Sequence, residues 1–131
     1  MTQAPLIKHE GRARLLLVED DSGVRRSLQL LLHGRGFDVR AYASGLALLA
    51  DPTALDAVCL VADYRMPEID GLAILSRLRG LGWQGQALMI TAFPSARLVD
   101  RALSAGYSRV IEKPLVEAAL VDAVERVVAA H

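Results

Sequence analysis

Ala57-Val58-Cys59-Leu60-Val61-Ala62-Asp63-Tyr64-Arg65-Met66-Pro67 is an apolar run that stops at a carboxylate and gives way to turn chemistry. The run is too short to cross a membrane and is rich in small and branched residues. It therefore reads as a strand buried on both faces, the habit of parallel sheets in α/β proteins. Asp63 then stands at the strand's carboxyl end. In open α/β sheets that edge borders the crevice where ligands bind, because the connecting loops part there. An aspartate after a strand is also an ordinary turn or helix-cap residue, so its meaning depends on what the other strand ends bring beside it.

A chain of 131 residues fits one domain and is long enough to bury a core without staples. Acidic and basic residues balance at 15 each, which leaves no global positive field and argues against nucleic-acid binding by this chain. The single cysteine, Cys59, excludes an internal disulfide and points to a reducing compartment. Inside the buried run its expected role is packing. No apolar stretch has the length of a membrane span, and the amino terminus has no apolar signal core, so the expected location is the cytoplasm, away from membranes. Residues 1–12 are expected as a flexible leader and residues 13–131 as the folded domain.

Other segments repeat the pattern of the opening stretch. Leu15-Leu16-Leu17-Val18 is a second continuous apolar run ending in carboxylates, Glu19-Asp20-Asp21. Ser22 reads as an N-cap, and Val24, Leu28, Leu31 and Leu32 recur at helical spacing until Gly34-Arg35-Gly36, with Arg25 and Arg26 on the wet face. Phe37-Asp38-Val39-Arg40-Ala41 alternates like an edge strand, and Ser44-Gly45 opens a short helix that Asp51-Pro52 closes. Beyond the opening stretch, Asp70 reads as a loop residue before a helix through Leu72, Leu75 and Leu78, and Trp83 as a cap over the core. Ala87-Leu88-Met89-Ile90-Thr91 is the fourth strand, and Ser95 caps a helix that stops near Gly106. Val110-Ile111 forms the last strand, ending at Lys113-Pro114, before a helix with Leu120, Ala123, Val124, Val127 and Val128 on one face. Five strands alternating with five helices predict a parallel sheet in a three-layer α/β/α sandwich.

Four strand ends carry chemistry: Glu19 and Asp20, Asp63, Thr91, and Lys113. A parallel sheet brings them to one edge. Carboxylates gathered there repel one another unless a cation sits between them, and an all-oxygen donor set without His or Cys suits Mg²⁺, with Mn²⁺ able to substitute. Lys113 and the Thr91 hydroxyl can then neutralise the oxygens of a phosphoryl group in transfer, with Asp63 as the nucleophile.

Glu-Asp after the first strand, Asp-x-x-Met-Pro-x-x-Asp-Gly after the third, Thr-Ala after the fourth and Lys-Pro after the fifth occur together and in order. The chain thus resembles a response regulator receiver domain of bacterial two-component signalling, from Arg14 to the last helix. The resemblance implies a doubly wound sheet of order 2-1-3-4-5 and phosphorylation of Asp63 by a sensor histidine kinase. It implies Mg²⁺ held by Glu19, Asp20, Asp63 and the main-chain carbonyl of Arg65, a cis bond between Lys113 and Pro114, and Thr91 moving toward the phosphoryl group beside the small Ala92. It further implies a signalling domain that catalyses only its own phosphorylation and dephosphorylation. The face made by the fourth helix, the last strand and the last helix would then control an output domain or partner, and a homodimer through that face is compatible with it.

The chain departs from the family pattern at Val110, where many receivers place an aromatic switch residue, so coupling is expected through loop and helix shifts. Arg65 and Phe93 are bulky at positions that flank the attacking water's route, and a long-lived phosphoaspartate is expected from them. A haloacid-dehalogenase-like phosphohydrolase is one rival, but it needs an acid two residues after the nucleophile, where Arg65 stands. A receiver that docks partners without phosphorylation is the other, kept open by Val110.

Overall fold

A computed structural model describes residues 8–9 and 11–130. Its parallel strands are β1 (Arg12–Val18), β2 (Asp38–Tyr42), β3 (Cys59–Asp63), β4 (Gln86–Thr91) and β5 (Arg109–Glu112). The helices between and after them are α1 (Ser22–Gly34), α2 (Gly45–Leu49), α3 (Gly71–Gly80), α4 (Ala96–Ala105) and α5 (Glu117–Ala129). β1 pairs with both β2 and β3, β3 with β4, and β4 with β5, which is the expected order 2-1-3-4-5.

The three layers follow from the period of two along each strand, which sends successive side chains to opposite faces. Leu15, Leu17, Val61, Leu88 and Ile90 pack with Leu28 and Leu32 of α1 and with Leu120 and Val124 of α5. Leu16, Val18, Leu60, Ala62 and Met89 pack with Leu48 of α2, with Ile74, Leu75 and Leu78 of α3, and with Leu98 and Ala102 of α4. Continuous apolar runs are needed because neither face of the central strands meets water. Cys59 is one of these core residues, and burial pushes its thiol pKa up to about 12, so it packs rather than reacts.

Several local details differ from the sequence-based expectation. Asp21, not Ser22, caps α1: its carboxylate accepts from the Val24 amide at 2.9 Å, because the chain leaving β1 is still extended at Asp21. Asp70 is likewise the N-cap of α3, accepting from the Ala73 amide at 2.9 Å, rather than only a loop residue. Phe37 is buried but precedes β2, which starts at Asp38. Within the segment expected as a leader, Lys8–His9 forms a two-residue strand antiparallel to the start of β1, pairing with Arg12 and Ala13, and Gly11 at φ 76° turns the chain. Residues 1–7 and 10 of that segment lie outside the described residues.

Trp83 closes the bottom of the α3 layer. It is 3% exposed, its indole Nε1 donates to the Ala57 carbonyl at 2.8 Å, and the Arg79 guanidinium lies 5.1 Å from the ring centroid. Trp83→Ala is expected to cost about 3 to 5 kcal/mol in urea unfolding, the range for truncating a large buried aromatic. A loss below about 1 kcal/mol would show that the ring does not anchor this layer.

Candidate functional site

Register brings the strand ends level. Val18 pairs with Ala62, Asp63 with Ile90, and Thr91 with Glu112, so Glu19, Asp63, Thr91 and Lys113 converge on one edge. Glu19, Asp63 and Thr91 are buried, whereas Asp20 is exposed. Carboxylate oxygens of Glu19, Asp20 and Asp63 lie within 4.8 Å of one another. At that distance two unit charges repel by about 3 to 4 kcal/mol at a realistic protein dielectric. The Lys113 ammonium offsets this: its Nζ donates to Glu19 Oε1 at 2.7 Å and to Asp63 Oδ2 at 2.8 Å. Both contacts are hydrogen-bonded ion pairs, so the ammonium compensates the two buried carboxylates directly.

Protonation follows the same forces. Burial, reinforced by the Asp63 charge, raises the pKa of Glu19 above the usual carboxylate value, although the Lys113 contact and the Asp21 amide pull it back. Burial works against the Lys113 ammonium, but its hydrogen bonds to Asp63 and Glu19 win, and its pKa lies above the ordinary lysine value. The cation is therefore present at neutral pH.

The segment after Asp63 is tightly tied down. The Tyr64 amide donates to the Ile90 carbonyl at 2.9 Å, and the Gly71 amide donates to the Tyr64 carbonyl at 3.0 Å. A Cβ at Gly71 would come within 3.0 Å of the Asp63 carbonyl and 3.3 Å of the Met89 terminal methyl, so the close approach of α3 to β3 favours glycine. Between them, Ile69 N donates to Pro67 O at 2.8 Å around Glu68 at φ 71°, the arrangement of a γ-turn. Arg65 precedes this turn, and its guanidinium sits 5.3 Å from the centroid of the exposed Phe93 ring. The two bulky residues form one stacked pair, each two positions beyond a strand-end residue, Asp63 and Thr91.

Thr91 Oγ1 accepts from the Phe93 amide at 3.2 Å, and Ala92 between them is exposed. Val110 is half-buried against the α3 and α4 layer. Arg25, expected on the wet face of α1, instead folds back to donate from Nη1 to the Glu19 carbonyl at 2.9 Å. Helical periodicity alone does not reveal that reach. The Lys113–Pro114 peptide is cis.

The donor set fits a hard divalent cation. Asp63 Oδ1 and the Asp20 carboxylate accept no hydrogen bond from the described residues, while Glu19 Oε2 accepts one from the Asp21 amide at 3.1 Å. Each carboxylate oxygen has two lone-pair directions, so Glu19 keeps capacity for a metal ion or a metal-bound water.

The sequence profile of the response regulator receiver domain matches residues 15–125. The chain belongs to that family. It is 35% identical over 108 residues to the transcriptional regulatory protein FixJ of Azorhizobium caulinodans, an alignment covering 82% of this chain and 51% of FixJ. The chain thus spans about half the length of that curated relative. Among solved structures it resembles a putative response regulator from Chloroflexus aurantiacus, with TM-score 0.81, 32% identity and coverage of 90% of this chain and 98% of the other. The Vibrio cholerae chemotaxis protein CheY4 shares the fold, with TM-score 0.82 at 24% identity over 88% of this chain and 98% of CheY4. Receiver domains are the phosphorylation-based signalling domains of two-component response regulators, not classical enzymes, and bind Mg²⁺ at an acidic pocket of the kind seen here. Among the described residues no helix is long and apolar enough to cross a membrane.

Removing Lys113 leaves Glu19 and Asp63 buried without a cation. Lys113→Met is expected to lose about 3 kcal/mol in urea unfolding at neutral pH with chelator present. The deficit should shrink as pH falls, because protonating a carboxylate relieves the repulsion, and Mg²⁺ should restore part of it. Equal stability of variant and parent across that range would show that the ammonium does not hold the acid cluster together.

Proposed function

We propose that this receiver domain accepts a phosphoryl group on Asp63 from the phosphohistidine of a sensor histidine kinase. One Asp63 carboxylate oxygen forms the new P–O bond as the donor's P–N bond breaks, its electron pair remaining on the imidazole nitrogen. The observation that carries this reading is the division of labour on Asp63. Oδ2 is held by Lys113 Nζ at 2.8 Å, and Oδ1 accepts nothing from the described residues and is left to attack.

Lys113 would then face the charge carried by the transferring oxygens, having Glu19 as its second anchor at 2.7 Å. Thr91 would turn its hydroxyl from the Phe93 amide toward a phosphoryl oxygen, with Ala92 leaving room. Glu19, Asp20, Asp63 and the Arg65 carbonyl would hold Mg²⁺, or Mn²⁺ in its place. The bound ion supplies charge neutralisation at the phosphoryl oxygens.

The phosphorylated domain would redraw its α4-β5-α5 face, which exposes Leu103, and so control an output domain or a separate partner. A homodimer through that face is one form this control can take. FixJ is a transcriptional regulatory protein by name, and an output of that type in the cytoplasm agrees with a neutral receiver that does not itself bind nucleic acid. The phosphohydrolase reading lacks its acid, since Arg65 stands two residues after Asp63 and stacks on Phe93. Phosphorylation-independent docking has only Val110 in its favour.

Incubation with a small phosphodonor and Mg²⁺ is expected to add one phosphoryl group by intact-mass spectrometry, and Asp63→Asn to abolish it. Steady release of inorganic phosphate at enzymatic rates would favour the hydrolase, and no modification would favour docking alone. Because Arg65 and Phe93 are bulky and stack on each other two residues beyond Asp63 and Thr91, Arg65→Asn and Phe93→Ala are each expected to shorten the phosphoaspartate lifetime several-fold. A lifetime unchanged in both would remove the shielding role from the pair.

A further inference from the structure

Tyr107 lies between α4 and β5 and is 2% exposed. Its hydroxyl donates to the Gly71 carbonyl at 2.6 Å. At its other end the Tyr107 amide donates to the Ala102 carbonyl at 3.0 Å, and Gly106, at φ 113°, donates to the Leu103 carbonyl at 3.1 Å. These paired bonds are a Schellman motif, which locks Tyr107 to the last turn of α4. Gly71 in turn is bonded to the Tyr64 carbonyl and packs so closely that a Cβ would lie 3.0 Å from the Asp63 carbonyl. One side chain therefore spans from the end of α4 to the residue that rests on the backbone of Asp63.

The phenol is well suited to this as a fixed donor. Burial, with the nearby Asp70 charge, holds its pKa far above the ordinary tyrosine value, so the proton stays on the oxygen. Core filling does not require the hydroxyl, since phenylalanine has the same ring. Val110, the other β5-side residue packed near this layer, is apolar and offers no such link.

We propose that Tyr107 is a positioning residue that couples the Asp63 turn to the carboxyl end of α4. Displacement of the Asp63–Tyr64 backbone on phosphorylation moves Gly71, and Gly71 carries the phenol and the last turn of α4 with it. The proposal rests on the phosphoacceptor reading above, and the hydrogen-bonded path is its physical content.

The test uses the 131-residue chain with Mg²⁺ and beryllofluoride as the phosphoryl mimic, followed by amide NMR. In the parent, amides in the turn 64–71 and in the last turn of α4 through Tyr107 are expected to shift together. In Tyr107→Phe the turn should still respond, while the α4 shifts fall to less than half of the parent's. The variant should fold, because the ring remains and the Gly71 carbonyl keeps its helical partner. A second measurement keeps the parent sequence: 3-fluorotyrosine labelling gives Tyr42, Tyr64 and Tyr107 separate fluorine resonances, assigned by elimination with Tyr42→Phe and Tyr64→Phe. The Tyr107 resonance must move on addition of the mimic. Full α4 shifts in Tyr107→Phe, or a stationary Tyr107 resonance while the turn shifts, would overturn the coupling alone. A parent whose turn 64–71 does not respond would overturn the phosphoacceptor reading and the coupling with it.

Discussion

Two buried carboxylates share one ammonium: Lys113 Nζ bonds Glu19 across 94 residues of chain and Asp63 across 50. Without that cation the strand-end edge would concentrate like charges in a region that water reaches poorly, and the sheet would be least stable where its chemistry is placed. The contact also decides geometry. It draws the end of β5 toward the ends of β1 and β3, and it orients Asp63 so that one oxygen is engaged and the other is open. A stabilising interaction and the proposed phosphoacceptor arrangement are here the same set of atoms.

The second constraint is steric. Gly71 lets α3 start directly against the carbonyl of Asp63, and Gly106 lets α4 end so that Tyr107 points back into the same layer. Helices that flank the site are thus fixed at their ends by close backbone contacts and by the Tyr107 hydroxyl on the Gly71 carbonyl. Such joints transmit small displacements well, because close-packed groups cannot absorb them. Val110 leaves the β5 position apolar, which shifts interest to these joints as the route between site and surface.

Much of the fold was legible because burial on both faces imposes continuous apolar runs, and Leu15 to Val18, Cys59 to Ala62 and Ala87 to Ile90 have them. Glu19, Asp63 and Thr91 were legible because each follows such a run or closes it, and Lys113 because it comes just after the short last strand around the buried Ile111, so topology carries all four to one edge. What failed was finer. Asp21 rather than Ser22 capped α1, Asp70 became a cap, and Arg25 turned inward, since each choice depends on where neighbouring backbone points after folding. Residues with two plausible local roles are separated only by their surroundings.

The sequence by itself determined the order of elements, the faces they bury and the set of groups that meet at the carboxyl edge, because periodicity and strand topology are local and combinatorial properties. Only the tertiary structure decided how those groups pair: Lys113 between two carboxylates, Arg65 stacked on Phe93, and the Tyr107 hydroxyl on the Gly71 carbonyl. Those pairings join residues 28 or more positions apart in sequence, from Arg65 with Phe93 to Lys113 with Glu19. Hydrogen bonds and ion pairs hold over a few ångströms, and no pattern along the chain encodes a distance that exists only after the layers have closed.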